Sequence, residues 1–441
     1  MTATYYKFLQ LLLSIAVSCG ALVGCVSKSN TELAKGTVSV QIPVQEKADS
    51  YQLKTIELLG IQNLREVAGD FVRFFYAPGS AGHEITGQAP AAHFIKIGSV
   101  FIPSDYTSIQ MATIYYHMQN LAAFDTQVGA AGINQWPRSV GLEAQVAEGE
   151  GIQTNNAFYD GQTDSMMFVP FTNTDLPISV NAGIIAHEHF HSLFYKIVLK
   201  SAIALKKVSA KLAFIHSSQL VKVNIDKMQV QKDQITLLNE LYLRGINEGM
   251  ADFWGWVYTE DVDFMKWSLP TYVSARSLTL DKADIGYHIT KVRMLNMIDN
   301  ASFSDDLHGA LAAYSYDIGT PHAKFLKQLA NIYANENNVS ISIAKIKIAK
   351  QVFQFLNDLK INFSALKDDE SISELSLFRY FADQMIKNNT LTEDSCQFLI
   401  EYLNFTGTNS ADKTNESKAF PKQKCSLKDG KVLMTNDVET K

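Results

Sequence analysis

Short runs of alternating apolar and polar residues open the ordered part of the chain. Val38-Ser39-Val40-Gln41-Ile42 and Phe94-Ile95-Lys96-Ile97, with Gly and Pro breaks between them, predict mainly strands over residues 38–104, with a short helix over Thr55–Val67. The period then changes. Ile109, Ala112, Tyr115, Tyr116, Leu121 and Phe124 recur at helical spacing and predict a buried helix over Thr107–Asp125. Residues 126–178 return to Gly-, Asn- and Asp-punctuated strands and turns, and from Asn181 to Phe405 the pattern is mainly helical. After Thr406 large apolar residues give way to Lys, Asn, Ser, Thr and Asp, which predicts a polar, loosely ordered tail. The chain therefore reads as α+β. A β-rich N-terminal subdomain spans 38–180, a mainly helical subdomain 181–405, and the tail 406–441.

Composition narrows the class. With 46% hydrophobic residues in 441, the chain can bury a large core. Only 24 glycines and 10 prolines exclude collagen-like and low-complexity readings, and four cysteines exclude a disulfide-dense scaffold. The net charge of −6 carries no basic excess, which argues against nucleic acid as a partner.

The N-terminus carries one lysine, Lys7, then the apolar run Phe8 to Val23, too short for a good membrane span. It ends in Leu22-Val23-Gly24-Cys25, which resembles the lipobox of bacterial lipoproteins. The resemblance implies a signal peptide over 1–24, a lipid on Cys25, and a polar tether over 25–37 that holds the protein to a bilayer. Val26 stands where an Asp would favour inner-membrane retention, so the implied location is the cell envelope, at the outer membrane, on its periplasmic or outer face. In that oxidising compartment Cys396 and Cys425 either pair, closing a loop worth about 3–4 kcal/mol, or remain two thiols.

At the start of the helical half stands His187-Glu188-His189-Phe190-His191. On a helix, residues four apart share a face, so His187 and His191 can grip one cation while Glu188 reaches water beside it. This HExxH spacing suits one Zn²⁺ ion. His189 points off that face and reads as structural. In Asn247-Glu248-Gly249-Met250-Ala251-Asp252 the two carboxylates are again four apart: Glu248 can complete a His₂Glu set and Asp252 can accept the second N–H of a ligating imidazole.

Together the two motifs resemble those of the thermolysin-like and fungalysin-like zinc metallopeptidases, the gluzincins. Two more segments follow the family's order. Asn155-Asn156-Ala157-Phe158-Tyr159-Asp160-Gly161 is similar to its cleft-edge strand, which makes Asn156 and Ala157 substrate-binding. Asp284-Ile285-Gly286-Tyr287-His288-Ile289 is similar to its oxyanion segment, which makes His288 catalytic beside Glu188, with Asp284 orienting it. Arg276 loosely matches the family arginine that contacts the substrate carbonyl, and Tyr242 its second oxyanion donor. The resemblance implies a zincin-like fold with the metal at the join of the subdomains, and a zinc endopeptidase acting on peptides or proteins.

The chain departs from the family in two places. Asp284 is one residue closer to His288, and His191 and Glu248 are much further apart. The extra segment, about 196–235, sets Lys196, Lys200, Lys207 and Lys211 opposite Val198, Leu205, Val208 and Leu212. That pattern suits a helix packed on its own domain with a solvated lysine face, or a helix lying on a membrane. Two other functions fit parts of the pattern. The Glu248-to-Asp252 spacing also matches the E-x-x-A-D motif of peptidases related to the CAAX-prenyl endopeptidase. A lipoprotein that holds zinc and binds peptides without cutting them would carry the same ligands.

Overall fold

The computed structural model describes residues 35–436, except 48–49, 79, 82–83, 149–150, 206, 209–233, 280–290, 305–306, 368–369, 373–375, 404–422 and 429–430. The leader, Cys25 and the segment holding Asp284 and His288 lie outside the described residues.

Alternation does what it predicts at the N-terminus. Strands β1 (Gly36–Lys47) and β2 (Ser50–Asn63) form an antiparallel ladder in which Val38 faces Leu58 and Val40 faces Ile56. Val38, Val40, Ile42 and Leu58 are buried on one face while Ser39 and Gln41 alternate away from it. The helix expected over Thr55–Val67 is therefore wrong. Those residues continue β2 as far as Asn63 and then turn, because β1 lies opposite every residue from Thr55 to Leu58 and Gln119 of the following helix donates to Glu57 O on the far side. After β3 (Ala68–Gly69) and β4 (Val72–Tyr76) come β5 (Phe94–Ile97) and β6 (Val100–Pro103). The first sheet has the order β3-β2-β1-β6-β5, with β6 parallel to β1.

Helix α1 (Tyr106–Val128) matches the expected helix within three residues at each end. Asp105 caps it by accepting from the Ser108 N–H, and Gly129 ends it at φ 87, a left-handed position that favours glycine. The second sheet then forms from β7 (Arg138–Leu142), β8 (Ala157–Asp160) and β9 (Ser165–Phe168), in the order β8-β9-β7-β4. The segment Asn155–Gly161 thus supplies an edge strand.

Helix α2 (Ala182–Phe194) is buried along its entire length. Asn181 caps it by accepting from Gly183 and Ile184 N–H, while the Asn181 amide donates to Phe264 O and Ser268 Oγ. A π-helical turn, Tyr195–Leu199, and a short helix, Lys200–Ala204, extend it. The described part of the expected amphipathic stretch is helical only to Ala204, and Lys211 and Leu212 lie outside the described residues. Its lysine face is not wholly solvated either. Lys196 lies 2.7 Å from the Asp164 carboxylate and donates to Asn134 Oδ1, which draws its ammonium onto the protein.

Helices α3 (Gln234–Thr259), α4 (Lys291–Ala301), α5 (Leu307–Asn337), α6 (Ile341–Ala365), α7 (Ser376–Lys387) and α8 (Glu393–Leu403) make up most of the described helical part. The tail is not entirely loose. Strands β10 (Gln423–Lys428) and β11 (Lys431–Asn436) form a hairpin, and a Cys396–Cys425 disulfide ties it to α8. The fold is mixed α+β, with strands dominating before Val180 and helices after Asn181.

Candidate metal centre

Two facing helices build the site. On α2, His187 and His191 are one turn apart, and their Nε2 atoms lie 3.0 Å from each other. On α3, Glu248 sends one carboxylate oxygen to 3.4 Å from His187 Nε2 and the other to 3.8 Å from His191 Nε2. Ligand atoms of His187, Glu188 and His191 all lie within 4.8 Å of one another, so this buried group could hold a metal ion. Relative exposures of 2% for His187, 4% for Glu188, 1% for His191 and 1% for Glu248 place all four side chains in the interior.

Asp252, one turn beyond Glu248, sits 3.0 Å from His187 Nδ1. A carboxylate there holds the ring proton on Nδ1 and leaves the Nε2 lone pair directed at the shared centre. Burial works against a charged imidazole, but hydrogen bonds with Asp252 and Glu248 outweigh it and raise His187 to about 9. In the same way burial opposes ionisation of Asp252, while Arg276 and His187 overcome that and hold its carboxyl below the usual range. Asp252 also accepts two hydrogen bonds from Arg276, from Nε at 3.1 Å and from Nη2 at 2.5 Å. The same Nη2 lies 3.6 Å from Glu248. Arg276, 7% exposed, therefore balances the two carboxylates as well as facing the cavity.

A cavity of about 30 Å³ opens on this centre, with Asn156, Ala157, His187, Glu188, Arg276 and Tyr316 in its wall. The predicted strand residues Asn156 and Ala157 are thus beside the predicted ligands. Asn156 turns its own Oδ1 back to accept from the Ala157 N–H.

Tyr242 is a correction. Its hydroxyl is 2.8 Å from Ser376 Oγ and its ring meets His322 edge-on, away from the centre. Six positions before Glu248 is about 600° of helix, so Tyr242 leaves α3 about 120° round from it. The tyrosine that does reach the cavity is Tyr316 on α5. Arg276 stacks over its ring at 4.3 Å. Burial, and then the Glu248 carboxylate, push the Tyr316 phenol well above its ordinary range, so it stays a hydrogen-bond donor. No spacing relates Tyr316 to the HExxH motif. It arrives because α3 and α5 cross at Gly245, Gly249 and Gly319, where a Cβ on Gly249 would sit 2.1 Å from Gly319 O.

His189 is structural, as expected. Its Nε2 pairs with Asp125 of α1 at 2.9 Å and its ring stacks on Trp136. No protein-family model matches this chain, and no curated protein sequence matches it. The mixed α+β fold and the buried histidine–carboxylate centre are therefore the findings on which a function has to rest.

Proposed function

We propose that the chain is a zinc-dependent metalloendopeptidase of thermolysin-like, zincin-like type, held on the cell envelope by a lipid on Cys25. The observation that carries this reading is the buried convergence of His187, His191 and Glu248 from two helices, with Glu188 beside them. A tetrahedral zinc with bonds of about 2.0–2.2 Å spaces its ligands roughly 3.4 Å apart. The two imidazole Nε2 atoms lie 3.0 Å apart, and the two Glu248 oxygens lie 3.4 Å from one and 3.8 Å from the other, distances that bracket that spacing. Two imidazoles and one carboxylate also form the donor set of hydrolytic zinc sites, which keep a fourth position open.

When bound, zinc supplies a Lewis acid that polarises a carbonyl and lowers the pKa of water to about 7. His187, His191 and Glu248 would hold it, and Asp252 would keep the His187 ring in the ligating tautomer. Glu248 is assigned as the ligand because it approaches both imidazoles from the facing helix. Glu188 stays available to take a proton from water and return it to the leaving amine. Tyr316, protonated and facing the same cavity, would donate to the oxygen of the scissile carbonyl as charge develops there. His288 is the second such donor that the sequence resemblance implies. The β8 edge, at Asn156 and Ala157, would hold the substrate backbone extended.

Zinc content and casein hydrolysis of wild type and Glu188→Gln test the reading. Expected are one zinc per chain in both proteins and a loss of about a hundredfold or more in kcat/KM for the variant. Zinc in both and hydrolysis in neither would leave a peptide-binding lipoprotein instead. Equal hydrolysis by both would remove Glu188 from the mechanism.

A further inference from the structure

The β5–β6 hairpin is apolar on the face it turns to solvent. Its two-residue turn is Gly98-Ser99, with Gly98 at φ 60. Ile95 faces Ile102 across the ladder and Ile97 faces Val100, so these four aliphatic side chains share one face. The other face carries Phe94 and Phe101, which are buried, and Lys96, whose ammonium lies 5.2 Å over the Phe101 ring. Ile95 is 57% exposed and Ile97 61%, on the edge strand of the first sheet. An exposed aliphatic face on a sheet edge is costly in water and marks a contact surface.

Topology says which contact. β1 runs parallel to β6, with Val40 beside Phe101. Stepping back from Val40 to Gly36 therefore leads to the same end of the sheet as stepping back from Phe101 to the Gly98-Ser99 turn. Cys25 precedes Gly36 by 11 residues, at most about 40 Å of extended chain. Lys35 and Lys96, both exposed, lie at that end too.

We propose that the hairpin tip is a second membrane contact. Ile95 and Ile97 enter the boundary between headgroups and acyl chains of the bilayer that holds Cys25, and Lys35 and Lys96 meet anionic headgroups. The proposal rests on the lipid-anchor reading, because the anchor keeps the tip at a high effective concentration near the surface and makes a two-isoleucine contact persist. The molecule is then held at two points and stands in one orientation on the membrane.

The test uses the full lipoprotein with Ile97→Trp in phosphatidylethanolamine–phosphatidylglycerol vesicles, with and without brominated acyl chains. The mass of the N-terminal peptide is read in parallel. The expected result is an acylated Cys25 and added tryptophan emission that is blue-shifted and at least about half quenched by bromine. In the acylated chain, Ile95→Ser with Ile97→Ser should speed transfer of the protein from these vesicles to acceptor vesicles about tenfold or more. Acylation without quenching overturns the hairpin contact and leaves the anchor reading standing. Quenching without acylation removes the anchor and with it the two-point attachment, and the lack of both overturns the two together. A lipid-free dimer that the double serine change dissolves would make the occupant a second copy of the chain and overturn the proposal.

Discussion

Gly249→Ala tests the backbone contact that brings Tyr316 to the centre. A Cβ at Gly249 would lie 2.1 Å from Gly319 O, 2.8 Å from its carbonyl carbon and 2.9 Å from its Cα. Ordinary contact begins at 3.4 Å, so α5 has to retreat by 3.4 − 2.1 = 1.3 Å at the crossing. Every clashing atom belongs to the backbone, and no side-chain rotation relieves it. Overpacking of this kind costs about 1–3 kcal/mol, against which the better helix propensity of alanine returns about 1 kcal/mol. A clash with backbone alone takes the upper end of that cost, so the expected net loss is about 2 kcal/mol, read as a lower urea midpoint by far-ultraviolet circular dichroism. Tyr316 sits three residues before Gly319, so the same retreat carries the phenol out of the cavity wall. Misplacement by about 1 Å costs roughly a hundredfold in rate, and kcat/KM on a peptide substrate should fall by that factor. Metal content should not change, because His187, His191 and Glu248 remain on α2 and α3. A Gly249→Ala protein as stable as wild type, with the same kcat/KM, would refute the crossing as the device that positions Tyr316.

Three further predictions concern single groups. Tyr316→Phe keeps the stacked ring and removes only the donor, so metal content should stay constant while kcat/KM falls by about ten- to a hundredfold in steady-state hydrolysis. Asp252→Asn takes the negative charge from beside His187 Nδ1, removes half the counter-charge of Arg276 and sets an amide NH₂ among donors. Zinc affinity by chelator competition should drop about ten- to a hundredfold, and an unchanged affinity would end the orienting role. Burial lowers His117 from 6.5 to about 3 and His322 from 6.5 to about 4. The unfolded chain then binds protons that the fold cannot. Their contribution is complete above pH 6.5 and is lost on descending towards pH 3–4, by up to about 2 kcal/mol each between pH 6.5 and 5. In the metal-free chain His187 has the opposite sign, since its folded value of about 9 lies above 6.5. Its contribution is complete below pH 6.5, is lost as pH rises through 9, and adds no slope between 5 and 6.5. Urea midpoints at pH 6.5 and 5 should separate for wild type and converge for His117→Gln with His322→Gln. Equal wild-type midpoints would show that both rings charge freely in the fold.

Local periodicity settled a large part of this protein without any tertiary information. Three residues between His187 and His191, and three between Glu248 and Asp252, put each pair on one helix face. The α1 helix and the β1 strand follow from burial at periods of 3.6 and 2, which local sequence records directly. Where two periods compete, as over Thr55–Val67, the partner decides. The ladder from β1 makes β2 a strand, and only the fold supplies that ladder. The Cys396–Cys425 bond likewise needed α8 and the β10–β11 hairpin to be brought together. Tyr316 and Tyr242 show the same division at the site. Tyr242 lies close to Glu248 in sequence but on the wrong side of α3. Tyr316, 68 residues beyond Glu248, reaches the cavity because three glycines let two helix backbones touch. Residue type and spacing fix which side chains share a face of one element. Which face meets which depends on backbone approach between elements distant in sequence, and that is a property of the packed core.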